Sequence, residues 1–336
     1  MTLAEIARLA GVSRTTASYV INGKARERRI SQETVDRVMA MVQHHDYRVD
    51  AQAAALRRGA SRLLGLIIPD LENVSYARLA KRLERGVREA GYRLLIVGSD
   101  DDPESERELA LALRAQRCEV LITASCLPTE DPFYAELMAA GLPVVAVDRG
   151  LDPHHFASVV SNDREAAERL TRSVLDDTVT RIAWLDAVPA LSISRERRAG
   201  FQQALADHRP LEVISCGAQR YDRVEGARLM RELLDGHGMP DAMVTASYTL
   251  LDGAFDVLLE DGGLPTSLRL ATFGDSRLLD FLPLPVNSAV QDHDRIATLT
   301  LACALAAARG DYRPGLQVVA RHLRWRLPGR TTPQHA

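Results

Sequence analysis

The sequence predicts a small all-α head followed by a larger α/β core, on three observations. Residues 3–44 repeat apolar side chains at intervals of three and four, the helical period, with a capping residue ahead of each segment. From Leu63 the pattern becomes short continuous apolar runs alternating with amphipathic helices, as expected for parallel strands covered on both faces. Charge divides at the same place. Residues 1–62 carry 11 Lys+Arg against 6 Asp+Glu (net +5) and the remainder 31 against 39 (net −8), within a total of −3.

The head opens with Thr2-x-x-Glu5, a capping box, followed by Leu3, Ile6, Ala7 and Ala10 on one helical face. Gly11 supplies a turn and Val12 plugs the corner. Ser13 is positioned to cap a second helix whose inner face is Ala17, Val20 and Ile21. Its outer face carries Arg14, Thr15, Thr16, Ser18 and Tyr19, all able to hydrogen-bond, and Asn22-Gly23 ends it. Ser31 opens a third helix, with Val35, Val38, Met39 and Val42 read as inward. A solvated helical hairpin shows much of this pattern, so the basic balance of the head decides the reading. Two helices joined by a tight turn place the second in the DNA major groove. Arg14, Thr15 and Tyr19 are then the candidate base readers. Ser13, Thr16, Ser18, Asn22 and Arg28, from the basic loop Arg26-Glu27-Arg28-Arg29, are candidates for the remaining DNA contacts, mainly to phosphates.

Tyr47 follows, then Asp50 to Gly59 (Asp-Ala-Gln-Ala-Ala-Ala-Leu-Arg-Arg-Gly), an alanine-rich segment with one large apolar residue, and then a strand. This order resembles the lactose-repressor (LacI/GalR) family of transcription regulators. Residues 8–24, Arg-Leu-Ala-Gly-Val-Ser-Arg-Thr-Thr-Ala-Ser-Tyr-Val-Ile-Asn-Gly-Lys, are similar to its fructose-repressor branch. The resemblance implies a hinge helix over 48–61 that pairs with a second subunit in the minor groove. Leu56 would be wedged between base steps, where an apolar side chain kinks DNA, and Ala53 would allow close helix contact. The chain departs from the family's Tyr-x-Pro-Asn entry, having Arg48-Val49-Asp50 after Tyr47. Two-fold symmetry and a palindromic operator are expected, with a homodimer preferred over a tetramer because no C-terminal leucine heptad is present.

In the core, Leu63 to Ile68 reads as a buried strand closed by Pro69, and 76–90 as a helix with Leu79, Leu83, Val87 and Ala90 inward. Strands 94–97, 120–124 and 144–147 alternate with helices 103–115 and 133–140. A second series starts near Asp163 and runs through helices 164–175, 195–206, 223–234 and 250–259 and strands 182–185, 211–215, 243–246 and 270–273. Strand 286–290, helix 295–308 and a single strand Gln317 to Arg324 complete it. Two α/β units with no long linker suggest two lobes around a cleft. The resemblance implies a periplasmic-binding-protein-like core crossed three times, near 160, 290 and 322. Expected domains are therefore a 1–47 head, a 48–61 hinge and a 62–328 core. Lobe 1 spans about 62–160 and 291–321, lobe 2 about 161–290 and 322–328, and a polar tail at 329–336 is expected to lack order.

Ligands of open α/β sheets bind beyond the carboxyl ends of strands. Asn73, Ser75, Tyr76, Asp101, Ser125, Asp148 and Arg149 lie there in the first series, and Ser194, Arg197, Tyr221, Ser247, Asp275 and Gln291 in the second. Any one could be a cap or loop residue, but their shared position points to a polar cleft. Carboxylates accept paired sugar hydroxyls, an amide donates and accepts, and arginine can grip a phosphate bidentately unless a neighbouring aspartate takes it first. Residue types thus indicate a phosphorylated polyol. By resemblance, Asp148, Arg197, Asp275 and Gln291 match family sugar-binding positions and Arg149 fits the fructose branch. Fructose 1-phosphate is the first choice of effector and fructose 1,6-bisphosphate the second.

Four scattered cysteines, Cys118, Cys126, Cys216 and Cys303, show neither CxxC nor zinc spacing, so reduced thiols and no metal or cofactor are expected. No leader or ~20-residue apolar run is visible, which predicts a cytoplasmic chain with no membrane partner. Phosphate-loop, nucleophile-elbow and zinc-protease motifs are absent, which argues against an enzyme. A secreted sugar-binding protein would share the cleft but have no use for a basic head.

Overall fold

The computed structural model describes residues 1–47, 60–206 and 208–327, and the chain divides into two compact units, Met1–Ser61 and Arg62–Ala336. The first unit holds α1 (Leu3–Leu9), α2 (Arg14–Ile21) and α3 (Gln32–His44). Local chemistry sets their ends. Thr2 and Glu5 form the reciprocal capping box, Gly11 takes φ +65°, and Ser13 and Ser31 cap α2 and α3 through their hydroxyls. Ile6, Ala7, Ala10, Ala17, Val20 and Val38 close the small core, with Val35, Met41 and Val42 against it. Met39 corrects the expected inner face: it is exposed, because it lies about 100° around the helix from Val38.

The second unit is built on two six-stranded sheets. Its elements are β1 (Leu63–Ile68), α4 (Val74–Glu89), β2 (Arg93–Gly98), α5 (Pro103–Ala115), β3 (Val120–Thr123), α6 (Phe133–Ala139), β4 (Val144–Asp148) and β5 (Ala157–Ser161). There follow α7 (Asp163–Arg172), β6 (Arg181–Ala187), α8 (Ser192–Ala206), β7 (Glu212–Ala218), α9 (Arg223–His237), β8 (Ala242–Thr245) and α10 (Tyr248–Glu260). The last are β9 (Arg269–Phe273), a 3-10 turn (Arg277–Asp280), β10 (Val286–Val290), α11 (His293–Ala308), β11 (Gly315–Val319) and β12 (His322–Arg324).

The strand orders β11-β5-β4-β3-β1-β2 and β12-β10-β9-β8-β6-β7 are parallel throughout except for the antiparallel β10–β12 pair. Each has a switch in strand order, at β1 and at β6, where a cleft opens at the carboxyl ends. Buried Val, Leu and Ile fill both faces of the first sheet, and one continuous core fills the second. In the second lobe α9 and α10 touch backbone to backbone. A Cβ at Gly253 would lie 1.9 Å from the Arg223 carbonyl oxygen, so only glycine fits there.

The chain passes between the sheets at 162, 291–292 and 320–321. The expected single strand Gln317 to Arg324 is therefore two, because Val319 ends in one sheet and His322 begins in the other. Strand β5 has no counterpart in the expected series: Ala157–Ser161 carries only two large apolar residues, Val159 and Val160, yet it is buried between β4 and β11. Ala90, expected to face inward, is the exposed C-cap of α4.

Candidate functional site

In the head, Ser13 Oγ accepts from the Thr16 amide at 3.0 Å and shares a hydrogen with Thr16 Oγ1 at 2.8 Å. At the other end of α2, Asn22 Nδ2 donates to the Ser18 carbonyl at 2.7 Å and to its hydroxyl at 3.3 Å. Arg14 and Thr15 project from the first turn, exposed, and no described residue bonds their side chains. The Arg28 guanidinium stacks over the Tyr19 ring at 4.8 Å, a cation–π contact. This qualifies the expected division of labour, because the candidate phosphate contact Arg28 also orients the candidate base reader Tyr19. Ala53 and Leu56 lie outside the described residues.

In the core, a cleft collects Asn73, Ser75, Tyr76, Asp148, Arg149, Arg197, Tyr221, Ser247, Asp275 and Gln291. Asn73 and Ser247 cap α4 and α10, so one side-chain oxygen of each both ends a loop and edges the cleft. Asp148, the last residue of β4, sits at φ +64°, a left-handed conformation costly for a side chain. Tyr76 donates to its Oδ2 at 2.7 Å and Gln291 Nε2 donates to its Oδ1. Burial alone would raise the Asp148 pKa. The charges of Arg197 and Arg321 and the bond from Tyr76 outweigh it and hold the carboxyl below its usual range. Ser75 bridges Gln291 Oε1 at 2.7 Å and His293 Nε2 at 2.9 Å. Burial, with the charges of Arg82 and Arg78, lowers the His293 pKa to about 4, so the ring is neutral near pH 7.

The arginines are held in two different ways. Arg149 pairs bidentately with Asp101, and both side chains are buried. This is the aspartate pairing that competes with a phosphate, although Arg149 Nε remains buried without a partner. Arg197 and Arg321 share one carboxylate oxygen: Asp163 Oδ1 accepts from Arg197 Nε at 2.8 Å and from Arg321 Nε at 3.1 Å, with Arg321 Nη2 in ion-pair contact at 3.0 Å. Both guanidinium groups lie over Phe273, at 4.5 and 5.2 Å. Burial and the neighbouring Arg197 charge pull the Arg321 pKa below the arginine value, whereas at Arg197 burial is outweighed by Asp163 and the pKa is raised. Arg78 adds a further cation, bonded only to the Asp275 carbonyl oxygen at 3.3 Å among the described residues. The Asp275 carboxylate is itself held by Ser288 at 2.8 Å and by Arg326 and Arg324 at 2.8 and 3.2 Å.

Three expected cleft residues stand behind its wall. Asp101 faces Arg149, Ser125 accepts from the Leu127 amide at 3.0 Å in a buried turn, and Ser194 bonds Tyr221 at 2.6 Å and the Ala187 carbonyl at 2.8 Å. Their polar atoms are spent on protein partners, so they support liners without lining. Arg78, Asp163, Phe273, His293 and Arg321 were missed. In the sequence Arg321 falls within the expected strand Gln317 to Arg324 and Asp163 just ahead of the expected helix 164–175, and only the crossover between sheets brings them together. Among the described residues no three His, Cys, Asp or Glu side chains cluster to hold a metal ion, the four cysteines are free, and no helix is long and apolar enough to cross a membrane.

A basic helix-turn-helix head joined to a two-lobed core with a buried, cation-rich cleft defines a DNA-binding regulator with a sensing domain. The comparisons agree. Residues 2–50 match the model of bacterial regulatory proteins of the lacI family, and residues 61–277 that of periplasmic binding proteins and sugar binding domain of LacI family. The chain belongs to the LacI family of transcription regulators. It is 49% identical over 97% of its length to the whole of the fructose operon regulatory protein of Vibrio cholerae. It is 46% identical to the catabolite repressor/activator of Escherichia coli K12, covering 96% of this chain and 97% of that one. The crystal structure of the Cra transcriptional dual regulator from Pseudomonas putida, in complex with fructose 1-phosphate, matches with TM-score 0.76 and 50% identity, covering 79% of this chain and 99% of that one. These relatives are regulators, not enzymes.

Proposed function

We propose that this protein is a fructose-phosphate-responsive repressor, released from a palindromic operator when fructose 1-phosphate binds between its lobes. The observation that carries the effector class is Asp163. Two buried guanidinium groups share one carboxylate oxygen there, with Asp148 as the other carboxylate within reach of their charge, so N–H donors beyond those spent on Asp163 are aimed at the cleft and suit a phosphate's several acceptor oxygens. Asp148, Tyr76, Gln291 and Ser75 then offer the acceptors and donors a sugar requires. The Pseudomonas putida relative with fructose 1-phosphate bound supports the same choice. Fructose 1,6-bisphosphate is the second reading, favoured by Arg78, whose guanidinium has no carboxylate partner among the described residues and could take a further phosphate.

The ligand weakens DNA binding only by preferring the state with lower operator affinity. In a homodimer, Arg14 and Thr15 from each head would read one half-site, and operator DNA and phosphorylated sugars meet in the cytoplasm. The test is fluorescence anisotropy of the full chain on a selected palindromic site, titrated with each fructose phosphate, fructose and glucose. Release by fructose 1-phosphate, with the unphosphorylated sugars inert, is the expected result. Operator binding indifferent to every fructose phosphate would discard the effector and keep the regulator.

A further inference from the structure

A second cavity, of about 350 Å³ and open to solvent, lies in the second lobe on the face of its sheet where β7 forms the edge. One helix and two strands build it. Arg198, Phe201, Gln202 and Leu205 are spaced three and four apart on α8, and Val213 and Ser215 lie two apart on β7. Trp184, whose Cα pairs with that of Ser215, stacks on Phe201 with ring centroids 4.8 Å apart. Its indole N–H is buried and has no acceptor among the described residues, an unusual state for a buried donor. Val213 is 46% exposed on the apolar side of this hollow, and Arg198, Gln202 and Ser215 make the other side polar.

The polar wall of the cavity leads to the cleft. Arg198 donates to Asp186 Oδ2 at 3.1 Å, and Asp186 Oδ1 accepts from Tyr221 at 2.7 Å. Tyr221 lines the effector cleft from the other side. Asp186 is fully buried, and these two groups and the Ala187 amide at 2.8 Å are its partners.

We propose that this cavity is a second ligand site, for a small organic anion with an apolar body such as an aliphatic carboxylate, coupled to the cleft through Asp186. The apolar body packs on Phe201, Leu205 and Val213 beside the Trp184–Phe201 stack, and the carboxylate takes Arg198. Arg198 drawn toward the anion leaves Asp186 more dependent on Tyr221. The phenol O–H is then held by Asp186 and less available to a sugar hydroxyl, so the anion opposes the effector, and the effector opposes the anion equally.

Octanoate is the probe, with octanol as its uncharged counterpart. The protein has two tryptophans, Trp184 and Trp325, so Trp325→Phe leaves Trp184 as the reporter. The expected result is a saturable fluorescence change with octanoate at one site per chain, at least tenfold weaker with octanol, and absent in Val213→Phe, which fills the hollow. Octanoate should also raise the fructose 1-phosphate concentration for half-release from the operator by about fivefold, and not in Val213→Phe. Should Val213→Phe fail to fold, Ser215→Phe on the same strand face serves. No saturable change, or one that both filling variants retain, overturns the site. Binding without a shift in the half-release concentration overturns the coupling. A wild-type chain that ignores fructose 1-phosphate but binds octanoate defeats the proposed effector and leaves the second site standing.

Discussion

The head and the cleft solve opposite problems with similar side chains. On α2, hydrogen bonds join residues three or four apart, as in Ser13–Thr16 and Ser18–Asn22, and Arg14 and Thr15 are left in water for a partner outside the chain. In the cleft, bonds join Tyr76 to Asp148 across 72 residues, Asp163 to Arg321 across 158 and Ser75 to Gln291 across 216, and the charges are buried. A DNA surface can be met by exposed groups on a short, locally capped helix. A small anion must be met by groups already desolvated and oriented, which requires the whole fold. The difference predicts that substitutions in the cleft cost stability and response together, whereas those in the head cost mainly recognition.

Asp163→Asn should show the largest effect. It leaves two buried guanidinium groups without their shared anion, and unfolding in urea should register a loss of about 3–5 kcal/mol, with fructose 1-phosphate response lost as well. A loss comparable to that of an exposed pair, under about 1 kcal/mol, would break the comparison. His293 comes next. Its folded pKa, about 4, lies below its ordinary 6.5, so above pH 6.5 both folded and unfolded rings are neutral and the group has no effect. As pH falls from 6.5 toward 4 the unfolded chain takes up a proton that the folded chain refuses, and stability declines by up to about 3 kcal/mol. The urea midpoint of His293→Gln should lack this component, and identical pH profiles for variant and wild type would remove it.

The head effects are smaller and of another kind. Arg14→Ala should relax preference at one base pair by about 1–3 kcal/mol, read by competition among operator variants, with urea stability unchanged. Arg28→Ala should weaken binding to all sequences and lower the salt slope by about one. A changed base preference there would mean that its stacking on Tyr19 matters more than its charge. Ser13→Ala should be the mildest, about 1 kcal/mol from the lost cap. If its thermal unfolding matched Asp163→Asn in severity, head and cleft would not differ in the way proposed here.

Much of the fold was legible because its cues are local. Thr2-x-x-Glu5, Gly11, Ser13 and Ser31 mark helix ends within four residues of sequence, and the apolar runs from Leu63 onward announce parallel strands without reference to their partners. Most polar residues at strand ends did reach the cleft, since parallel sheets deliver every such end to one edge. What misled was also local: Met39 and Ala90 sit at plausible positions of an apolar face, and Ala157–Ser161 has too short an apolar run, Val159-Val160, to announce a strand.

The amino-acid sequence by itself determined the helix-turn-helix, the charge division between head and core, the α/β class, and a polar edge at the strand ends. Only the tertiary structure decided which arginines carry that edge. Arg149 is committed to Asp101, whereas Arg321 joins Arg197 on Asp163 because the chain leaves one sheet at Val319 and enters the other at His322. Charge pairing depends on distance in space, and three passages between the lobes bring together residues that no local spacing relates.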